Sequence, residues 1–480
     1  MPKQNVGLIG LAVMGQNLAL NIESKGFSIA VYNRTEARTR EFLAGTAAGR
    51  NLTGTYSIED LVESLETPRK VIVMVQAGTP VDQVLEQLRP HLEPGDVVMD
   101  GGNSFFRDTE RRVRELQATG IHYFGVGISG GEEGALKGPS IMPGGPKDAY
   151  PLIEPILTKI AAQVEDGPCC AYIGPGGAGH FVKMSHNGCE YAIMQAIAEV
   201  YDLLTHGVGM SAGELSSVFA EWNETEAGSY LVEITAKVLA ETDPDTGKPL
   251  VEVILDKAGQ KGTGKWTSQT ALDLGVPVPS IDAAMAARNI SALKEQRVEA
   301  SQVLHGPIDH PTVDKGAMIE SCKRALYASM LASYAQTMAL IAEASREYAY
   351  DVDLSEVARI WKGGCIIRAR ALDLIQESYQ GSDEGASLPN LMLDPVVASD
   401  LNRLQGGWRL AVLTARAYGL PCPVLSASLD YFESLRQARL PANLLQGLRD
   451  FFGAHTYQRV DRPGVFHTEW PPTDVADPES

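Results

Sequence analysis

The stretch that decides the fold is NVGLIG (5–10), followed by LAVMGQNLALNIESKG (11–26) and FSIAVYNRT (27–35). The first and third pieces are short apolar runs, and the middle piece has the apolar spacing of a helix that follows a glycine. A strand, a glycine turn, a helix and a second strand form a βαβ unit. The sequence therefore predicts an α/β Rossmann-type domain at the N-terminus, at about residues 1–178.

The turn after the first strand has the composition of a dinucleotide-binding loop. Gly10 permits the tight turn, and Ala12 is small enough for a pyrophosphate to approach the backbone. The start of the helix adds free N–H groups and the positive end of its dipole. A glycine turn without a ligand is the alternative. The residues predicted to contact the cofactor here are Gly10, Leu11, Ala12, Val13, Met14 and Gly15.

The end of the second strand indicates which dinucleotide binds. An NAD site places an acidic residue there for the ribose 2′ hydroxyl, whereas this chain has Asn33, Arg34 and Thr35. No acid repels a 2′-phosphate, Arg34 can pair with it, and its neighbours can donate hydrogen bonds to it. The sequence therefore predicts NADP as the cofactor, with an arginine in an exposed loop as the alternative.

Two more strand patterns, at 70–78 and 96–104, end in glycine and small polar residues, as ligand-facing strand ends do in open α/β sheets. The segment Val75, Gln76 and Ala77 is therefore predicted to contact the cofactor, and Asn103 both cofactor and substrate. Further along, SGGEEGA (129–135) offers a serine hydroxyl and successive backbone N–H groups that can form a nest for a carboxylate. A plain glycine loop is the alternative there.

The segment GHFVKMSHNGCEY (179–191) carries five reactive or polar side chains at helical spacing. At 100° per residue they lie within an arc of roughly 140° on one helix face. The residues between them are small or apolar, so an active-site face is favoured over a merely solvated one. The five residues are Lys183, His186, Asn187, Glu190 and Tyr191.

From residue 179 onward, strand patterns give way to long helical patterns, and we predict an all-α domain at 179–440. The pattern L-S-x-V-x-x-x-W at 215–222 recurs at 354–361, which suggests a duplicated helical unit. The cationic glycine loop GQKGTGKW (259–266) is suited to an anion, and Arg288 follows in a helical context. The tail, 441–480, mixes aromatic residues, arginines and prolines, and its last ten residues are expected to be disordered.

Composition limits the classes of function. A net charge of −19 argues against a nucleic-acid surface. No uninterrupted apolar run reaches the roughly 18 residues of a membrane span, and the N-terminus enters a strand at once, so we expect a cytoplasmic protein. The six cysteines have no CxxC spacing, which favours reduced, packed thiols over zinc ligands.

Three separated motifs resemble, in order, those of the β-hydroxyacid dehydrogenases: GLIGLAVMGQNLALNIESKG (7–26), SGGEEGA (129–135) and GHFVKMSHNG (179–188). Within that group, the length and the segments GPSIMPGG (138–145), HNGCEY (186–191) and AHTY (454–457) resemble the 6-phosphogluconate dehydrogenase family. The resemblance covers nearly the whole chain. One departure is Gln76, which stands where many members carry lysine.

The resemblance implies oxidation and decarboxylation of 6-phosphogluconate by NADP without a metal, in a homodimer whose tail reaches the partner's site. It implies that Lys183 is the general base and that Glu190 later protonates C1. The residues implied for the substrate carboxylate and hydroxyls are Asn103, Ser129, Gly130, Gly131, His186 and Asn187. Those implied for its phosphate are Tyr191, Lys261, Thr263, Arg288, Arg449 and His455.

Two rival functions remain open at this stage. A dehydrogenase for a non-phosphorylated β-hydroxyacid would not need the phosphate-facing set Lys261, Arg288, Arg449 and His455. A non-catalytic NADPH-binding sensor would not need both Lys183 and Glu190 on one helix face.

We expect Arg34→Asp to shift cofactor preference from NADP towards NAD, because it removes a partner of the 2′-phosphate and adds a repelling charge. The measurement is kcat/KM for each cofactor. An unchanged ratio would mean that the 2′-phosphate is recognised elsewhere.

Overall fold

The strands form one seven-stranded sheet and two short two-stranded pairings. The computed structural model describes residues 2–260, 262–380 and 388–471. Lys261 and all but one of the ten C-terminal residues expected to be disordered therefore lie outside the described part. The strands are β1 Val6–Ile9, β2 Ile29–Tyr32, β3 Leu52–Gly54, β4 Lys70–Val73, β5 Val97–Asp100, β6 His122–Ile128, β7 Ile141–Gly144, β8 Gln163–Val164, β9 Gly167–Pro168, β10 Tyr457–Gln458 and β11 Val465–Phe466.

The main sheet has seven strands in the order β3-β2-β1-β4-β5-β6-β7. Its first six strands are parallel and β7 pairs antiparallel with β6, with Ile128 opposite Ile141. The order reverses between β2-β1 and β4, which is where open α/β sheets bind ligands. Two apolar clusters cover the two faces of this sheet.

Helices make up most of the remaining chain. They are α1 Val13–Ser24, α2 Glu36–Ala44, α3 Ile58–Glu63, α4 Thr79–Leu88, α5 Phe106–Gln117, α6 Gly131–Lys137, α7 Glu154–Ile160, α8 Ala178–Asp202, α9 Ala212–Asn223, α10 Tyr230–Ala240, α11 Leu250–Val253, α12 Thr263–Asp273, α13 Pro279–Ser291, α14 Lys294–Ala300, α15 Lys315–Glu347, α16 Leu354–Trp361, α17 Ala371–Gln380, α18 Pro395–Ala417, α19 Pro423–Leu435 and α20 Ala442–Gly453. The predicted fold class, a Rossmann-type parallel sheet followed by a large helical part, is confirmed.

The helical part is built around two long helices, α8 and α15, which pack against each other. Within the described residues, α15 is the one helix long and apolar enough to span a membrane by length and composition, but 89% of its most apolar window is buried inside the protein. The apolar residues of α15 therefore serve as core, packed on α8 and α18.

The two copies of the L-S-x-V-x-x-x-W pattern lie on corresponding helices. The first is on α9, which packs on α10, and the second is on α16, which packs on α17. The loops before α10 and α17 meet in an antiparallel bridge, in which Tyr230 N donates to Arg368 O at 3.0 Å. The duplicated motif thus has the same local structure in both places.

All six cysteines are free thiols and all are buried. This confirms the prediction of reduced, packed thiols. Cys189 lies in the middle of α8 and Cys322 near the start of α15, so they fill space between core helices.

The chain divides into two compact units, Met1–Leu429 and Asp430–Ser480. The domain limits predicted from the sequence, at 178 and 440, stay predictions. In the second unit, helix α20 is followed by the hairpin of β10 and β11, with Tyr457 opposite Phe466.

Close approach of backbones fixes α8 against the sheet. A Cβ on Gly179, in the first turn of α8, would lie 2.3 Å from Met142 O on β7 and 2.4 Å from Gly125 O on β6. Both neighbours are main-chain atoms inside a paired sheet, so they cannot move aside. The position therefore accepts only glycine, and the contact sets the height of α8 over β6.

We expect Gly179→Ala to lower the melting temperature, since overpacking a rigid core costs roughly 1–3 kcal/mol or more. The matched control is Gly213→Ala on α9, where a Cβ would meet nothing within 4 Å and alanine favours the helix. Thermal unfolding of the two variants compares them directly. An unchanged melting temperature for Gly179→Ala would contradict the packing argument.

Candidate functional site

A cavity of about 270 Å³ lies at the carboxyl ends of β1, β2 and β4. Of the predicted cofactor residues, it is lined by Gly10, Asn33, Arg34, Thr35, Val75 and Gln76. Leu11 is fully buried, and Met14 and Asn103 line a second cavity, described below. The assignment of each of these residues to the cofactor stays a prediction.

The glycine turn leaves no room for side chains. Gly10 has φ +105°, and a Cβ there would lie 2.4 Å from Met74 O. Helix α1 begins after Ala12 with no side-chain cap and no acidic residue in its first turn. Its first N–H groups are therefore available to an anion, and the turn fits the pyrophosphate of a dinucleotide.

Asn33 performs a task that the sequence does not reveal. Its Oδ1 accepts from Leu11 N at 3.1 Å, and its Nδ2 donates to Thr35 O at 3.2 Å. The carboxamide thus ties the glycine turn to the loop that carries Arg34. Because both ends of the amide are engaged, Asn33 acts on this loop as a positioning residue.

A second arginine, Arg38, lines the same cavity, although it was not among the residues predicted to contact the cofactor. It lies on α2, four residues after Arg34, and this spacing was the signal that could have identified it. Within the described part of the chain, neither Arg34 nor Arg38 has an ion-pair partner. Two unpaired guanidinium groups at one strand end are suited to a dianionic phosphate.

The second cavity, of about 640 Å³, lies over α8. It brings together most of the residues predicted for substrate, although they come from distant parts of the chain. Its lining is Met14, Asn103, Ile128, Ser129, Gly130, Gly131, Lys183, Asn187, Glu190, Tyr191, Met194, Gly259, Gln260, Thr263, Arg288 and Ile366. Of these residues, Ile128, Met194 and Ile366 were not predicted as site residues, whereas Gln260 belongs to the glycine loop 259–266 predicted to suit an anion.

Lys183 is 6% exposed, and its amine has no hydrogen bond or ion pair with any described residue. Burial lowers the pKa of Lys183, and the Glu190 carboxylate opposes this. An amine with a lowered pKa is more readily neutral, and a neutral amine can accept a proton.

Glu190 lies seven residues further along the same face of α8, with its side chain 21% exposed. Burial raises the pKa of Glu190, while the nearby cations Lys183 and Arg288 lower it. The pKa values of the lysine and the glutamate are thus shifted towards each other. Such a pair can exchange the roles of acid and base.

His186 lies behind the cavity wall in a chain of hydrogen bonds. Burial and the charge of Lys183 hold the pKa of His186 well below its usual value, so the ring is neutral. Its Nδ1 lies 3.0 Å from Asn187 Oδ1, and its Nε2 lies 3.1 Å from Ser129 Oγ. Since an amide oxygen only accepts, Nδ1 carries the proton and Nε2 accepts from the Ser129 hydroxyl.

The chain of hydrogen bonds through His186 continues to Thr263 and fixes the direction in which each group donates. Asn187 Nδ2 donates to Thr263 Oγ1 at 3.2 Å, which places the amide oxygen towards His186. Ser129 gives its proton to His186, so the lone pairs of Ser129 are left for a donor in the cavity. Ser129 thus serves as an acceptor for a substrate hydroxyl or for an amine.

The turn that presents Asn103 is held by the buried carboxylate of Asp100. Its Oδ1 accepts from Gly102 N at 3.1 Å, and its Oδ2 accepts from Ser104 Oγ at 2.6 Å. The two bonds flank Asn103, whose own side chain is exposed. Asn103 is therefore held at the rim by bonds on either side.

Arg288 stacks on Tyr191, with its guanidinium carbon 4.2 Å from the ring centroid. Its Nη1 also donates to Gly259 O at 2.7 Å, which links α13 to the glycine loop. The loop that carries Lys261 thus begins beside Arg288, although Lys261 itself lies outside the described residues.

Arg449 and His455, predicted to contact the substrate phosphate, belong to the unit Asp430–Ser480, where both side chains are exposed. Arg449 Nη1 donates to Gln446 Oε1 at 3.1 Å. Among the described residues, no three His, Cys, Asp or Glu side chains lie together in a group that could hold a metal ion.

Comparison with known proteins places this geometry in a family. The NAD binding domain of 6-phosphogluconate dehydrogenase matches residues 5–174, and the 6-phosphogluconate dehydrogenase C-terminal domain matches residues 179–470. The 6-phosphogluconate dehydrogenase, decarboxylating, of Synechococcus elongatus is 56% identical over 473 residues, which cover 98% of this chain and all of that protein. An NADP(+)-dependent, decarboxylating 6-phosphogluconate dehydrogenase of Bacillus subtilis is also 56% identical, over 471 residues, with the same coverage.

A solved structure extends the likeness to three dimensions. The Plasmodium falciparum 6-phosphogluconate dehydrogenase, studied without ligand, with its cofactor NADP+ and with its substrate 6-phosphogluconate, superposes with a TM-score of 0.92 at 44% identity. The match covers 97% of this chain and all of the other. With the fold, the family matches and the full-length identities in agreement, the chain belongs to the 6-phosphogluconate dehydrogenase family.

Proposed function

We propose that this protein catalyses the oxidative decarboxylation of 6-phosphogluconate with NADP, giving ribulose 5-phosphate, carbon dioxide and NADPH. The relatives of more than 50% identity carry this activity in their names. The observation in the structure that best supports it is the placement of Lys183 and Glu190 on one face of α8, both shielded from water and with their pKa values shifted towards each other. The reaction needs a base first and an acid afterwards.

NADP supplies the acceptor for the hydride that leaves C3 of the substrate. The first turn of α1 offers its free N–H groups to the pyrophosphate, and Arg34 and Arg38 offer their charges to the 2′-phosphate. Asn33 holds the two loops at a fixed separation through its bond to Leu11 N.

In the oxidation step, Lys183 takes the proton of the 3-hydroxyl. The amine must be neutral, and its burial without a hydrogen-bond partner in the described structure favours that form. Ser129 Oγ, whose proton is directed to His186, accepts from the donor groups that surround the reacting carbon. Asn103, Gly130, Gly131 and Asn187 line the same cavity and complete the set assigned to the carboxylate and hydroxyls.

In the second half of the reaction, the C3 carbonyl of the β-keto acid accepts the electrons released when carbon dioxide leaves. The lysine, now protonated, stabilises the developing enolate oxygen. Glu190 then delivers a proton to C1 of the enediol. Its raised pKa keeps a fraction of the carboxyl protonated for this step.

The substrate phosphate is assigned to Tyr191, Thr263 and Arg288, which line the cavity, and to Lys261, which lies outside the described residues. Arg449 and His455 are assigned to the same phosphate from the tail of a second subunit, so that the active form is a homodimer. The exposed apolar residues of α20, Leu444, Leu445 and Leu448, support an interface there. The six free thiols are consistent with a cytoplasmic protein.

We expect the wild-type protein to form NADPH and release carbon dioxide from 6-phosphogluconate, and Lys183→Met to lower kcat by 10² to 10⁴-fold with NADP binding nearly intact. Methionine keeps most of the length and the unbranched shape of the lysine side chain but has no amine to accept the proton. NADPH absorbance and carbon dioxide release measure the rate, and titration with NADP measures binding. More than about a tenth of the wild-type turnover would exclude the general-base role.

We expect Glu190→Gln to damage the two halves of the reaction unequally, because Glu190 acts after hydride transfer. The amide keeps the size of the side chain but cannot donate a carboxyl proton. With ribulose 5-phosphate and NADPH in deuterated water, exchange of the C1 hydrogen should fall by roughly 10² or more, while the hydride step in single turnovers loses less. If the hydride step suffered equally and exchange persisted, Glu190 would orient Lys183 and the acid would be another group.

A further inference from the structure

The most connected carboxylate in the C-terminal unit is Asp450, at the end of α20. It lies directly after Arg449 in sequence, and it is fully buried although both Arg449 and His455 are exposed. Asp450 has no role in the reaction proposed above. A buried charge in a small unit needs partners for its lone pairs, and these partners show what it organises.

Four donors surround this carboxylate. Its Oδ1 accepts from Thr456 N and from His467 Nδ1, both at 2.9 Å. Its Oδ2 accepts from Thr468 N at 3.1 Å and from Trp470 Nε1 at 2.9 Å. Burial opposes ionisation, but these hydrogen bonds lower the pKa of Asp450 to about 2, so the group remains a carboxylate at neutral pH.

The hydrogen bonds to Asp450 hold a backbone segment that has an uncommon conformation. Ala454 and Thr456, on either side of His455, both have positive φ, at 47° and 61°. Non-glycine residues occupy this region at an energetic cost and need surroundings that impose it. Ala454 N donates to Asp450 O at 3.0 Å, and the Asp450 side chain fixes Thr456 N, so both strained residues are tied to Asp450.

The same network reaches Arg449. Gln446 Oε1 accepts from Arg449 Nη1, and Gln446 Nε2 donates to Thr456 O at 2.6 Å. Thr456 is thus held on its N–H by Asp450 and on its carbonyl by the glutamine that orients Arg449. The Arg449 guanidinium and the backbone around His455 are therefore held by one network of hydrogen bonds.

We propose that Asp450 is the positioning residue that presents Arg449 and His455 to the phosphate of the substrate. This inference rests on the proposed function, in which these two side chains bind the phosphate. It predicts that a change at Asp450 weakens only the binding of the substrate phosphate, because the cofactor cavity and Lys183 lie in the other unit.

The test is the variant Asp450→Asn. Its NH₂ group would replace a carboxylate oxygen that accepts two hydrogen bonds, and would therefore face two donors. We expect KM for 6-phosphogluconate to rise about tenfold or more, as for loss of hydrogen bonds to a charged group. We expect kcat/KM for gluconate, which lacks the phosphate, and Kd for NADP to remain within about twofold of wild type. The matched control is Asp461→Asn, which breaks an exposed ion pair with Arg459 in the same hairpin and should leave all three constants unchanged.

A milder variant covers the case in which Asp450→Asn does not fold. Trp470→Phe removes one donor to Asp450 but keeps an aromatic ring at the position whose indole lies 5.4 Å from the ring centroid of Phe451. It should raise KM for 6-phosphogluconate about threefold, again with gluconate turnover unchanged.

Arg449→Ala and His455→Ala separate this inference from the function it rests on. If they raise KM while Asp450→Asn and Trp470→Phe behave like the control, Asp450 does not position them and the inference fails. If Arg449→Ala and His455→Ala also leave KM unchanged, the assignment of the tail to the phosphate fails. An equal loss of activity with gluconate and 6-phosphogluconate would show a general folding defect and would overturn the positioning role.

Discussion

The approach of α8 to the main sheet determines where the reactive groups lie. Gly179 on α8 meets carbonyl oxygens of β6 and β7, and a Cβ on Gly127 of β6 would lie 2.5 Å from Lys183 Cβ. The sheet therefore packs directly against the first carbons of the lysine side chain. This packing helps to keep Lys183 buried, and burial lowers the pKa of its amine.

A neutral hydrogen-bond chain complements this buried pair. Thr263, Asn187, His186 and Ser129 come from three separate segments, yet each proton in the chain has one direction because the ring of His186 is neutral. A neutral chain orients groups around a charged centre without adding a competing charge. Trp361, whose ring meets the imidazole edge to face at 5.5 Å, keeps that side of the histidine dry.

The sequence predicted those parts that depend on local periodicity. The βαβ unit, the face of α8 that carries Lys183 and Glu190, and the helical remainder all follow from spacing within one segment. The strand β3, of three residues at the sheet edge, was missed because so short a segment carries no pattern. Arg38 was missed although its spacing from Arg34 is a local signal. The network around Asp450 was missed because its meaning depends on contacts between segments, such as Trp470 with Asp450, that no local pattern records.

The buried thiols have a chemical consequence of their own. Burial raises the pKa of Cys170, Cys189 and Cys365 to about 12. Peroxides attack the thiolate, and at neutral pH a thiol with such a pKa is ionised in only about one molecule in 10⁵. By keeping its six cysteines as protonated thiols away from solvent, the fold makes them poor targets for oxidants.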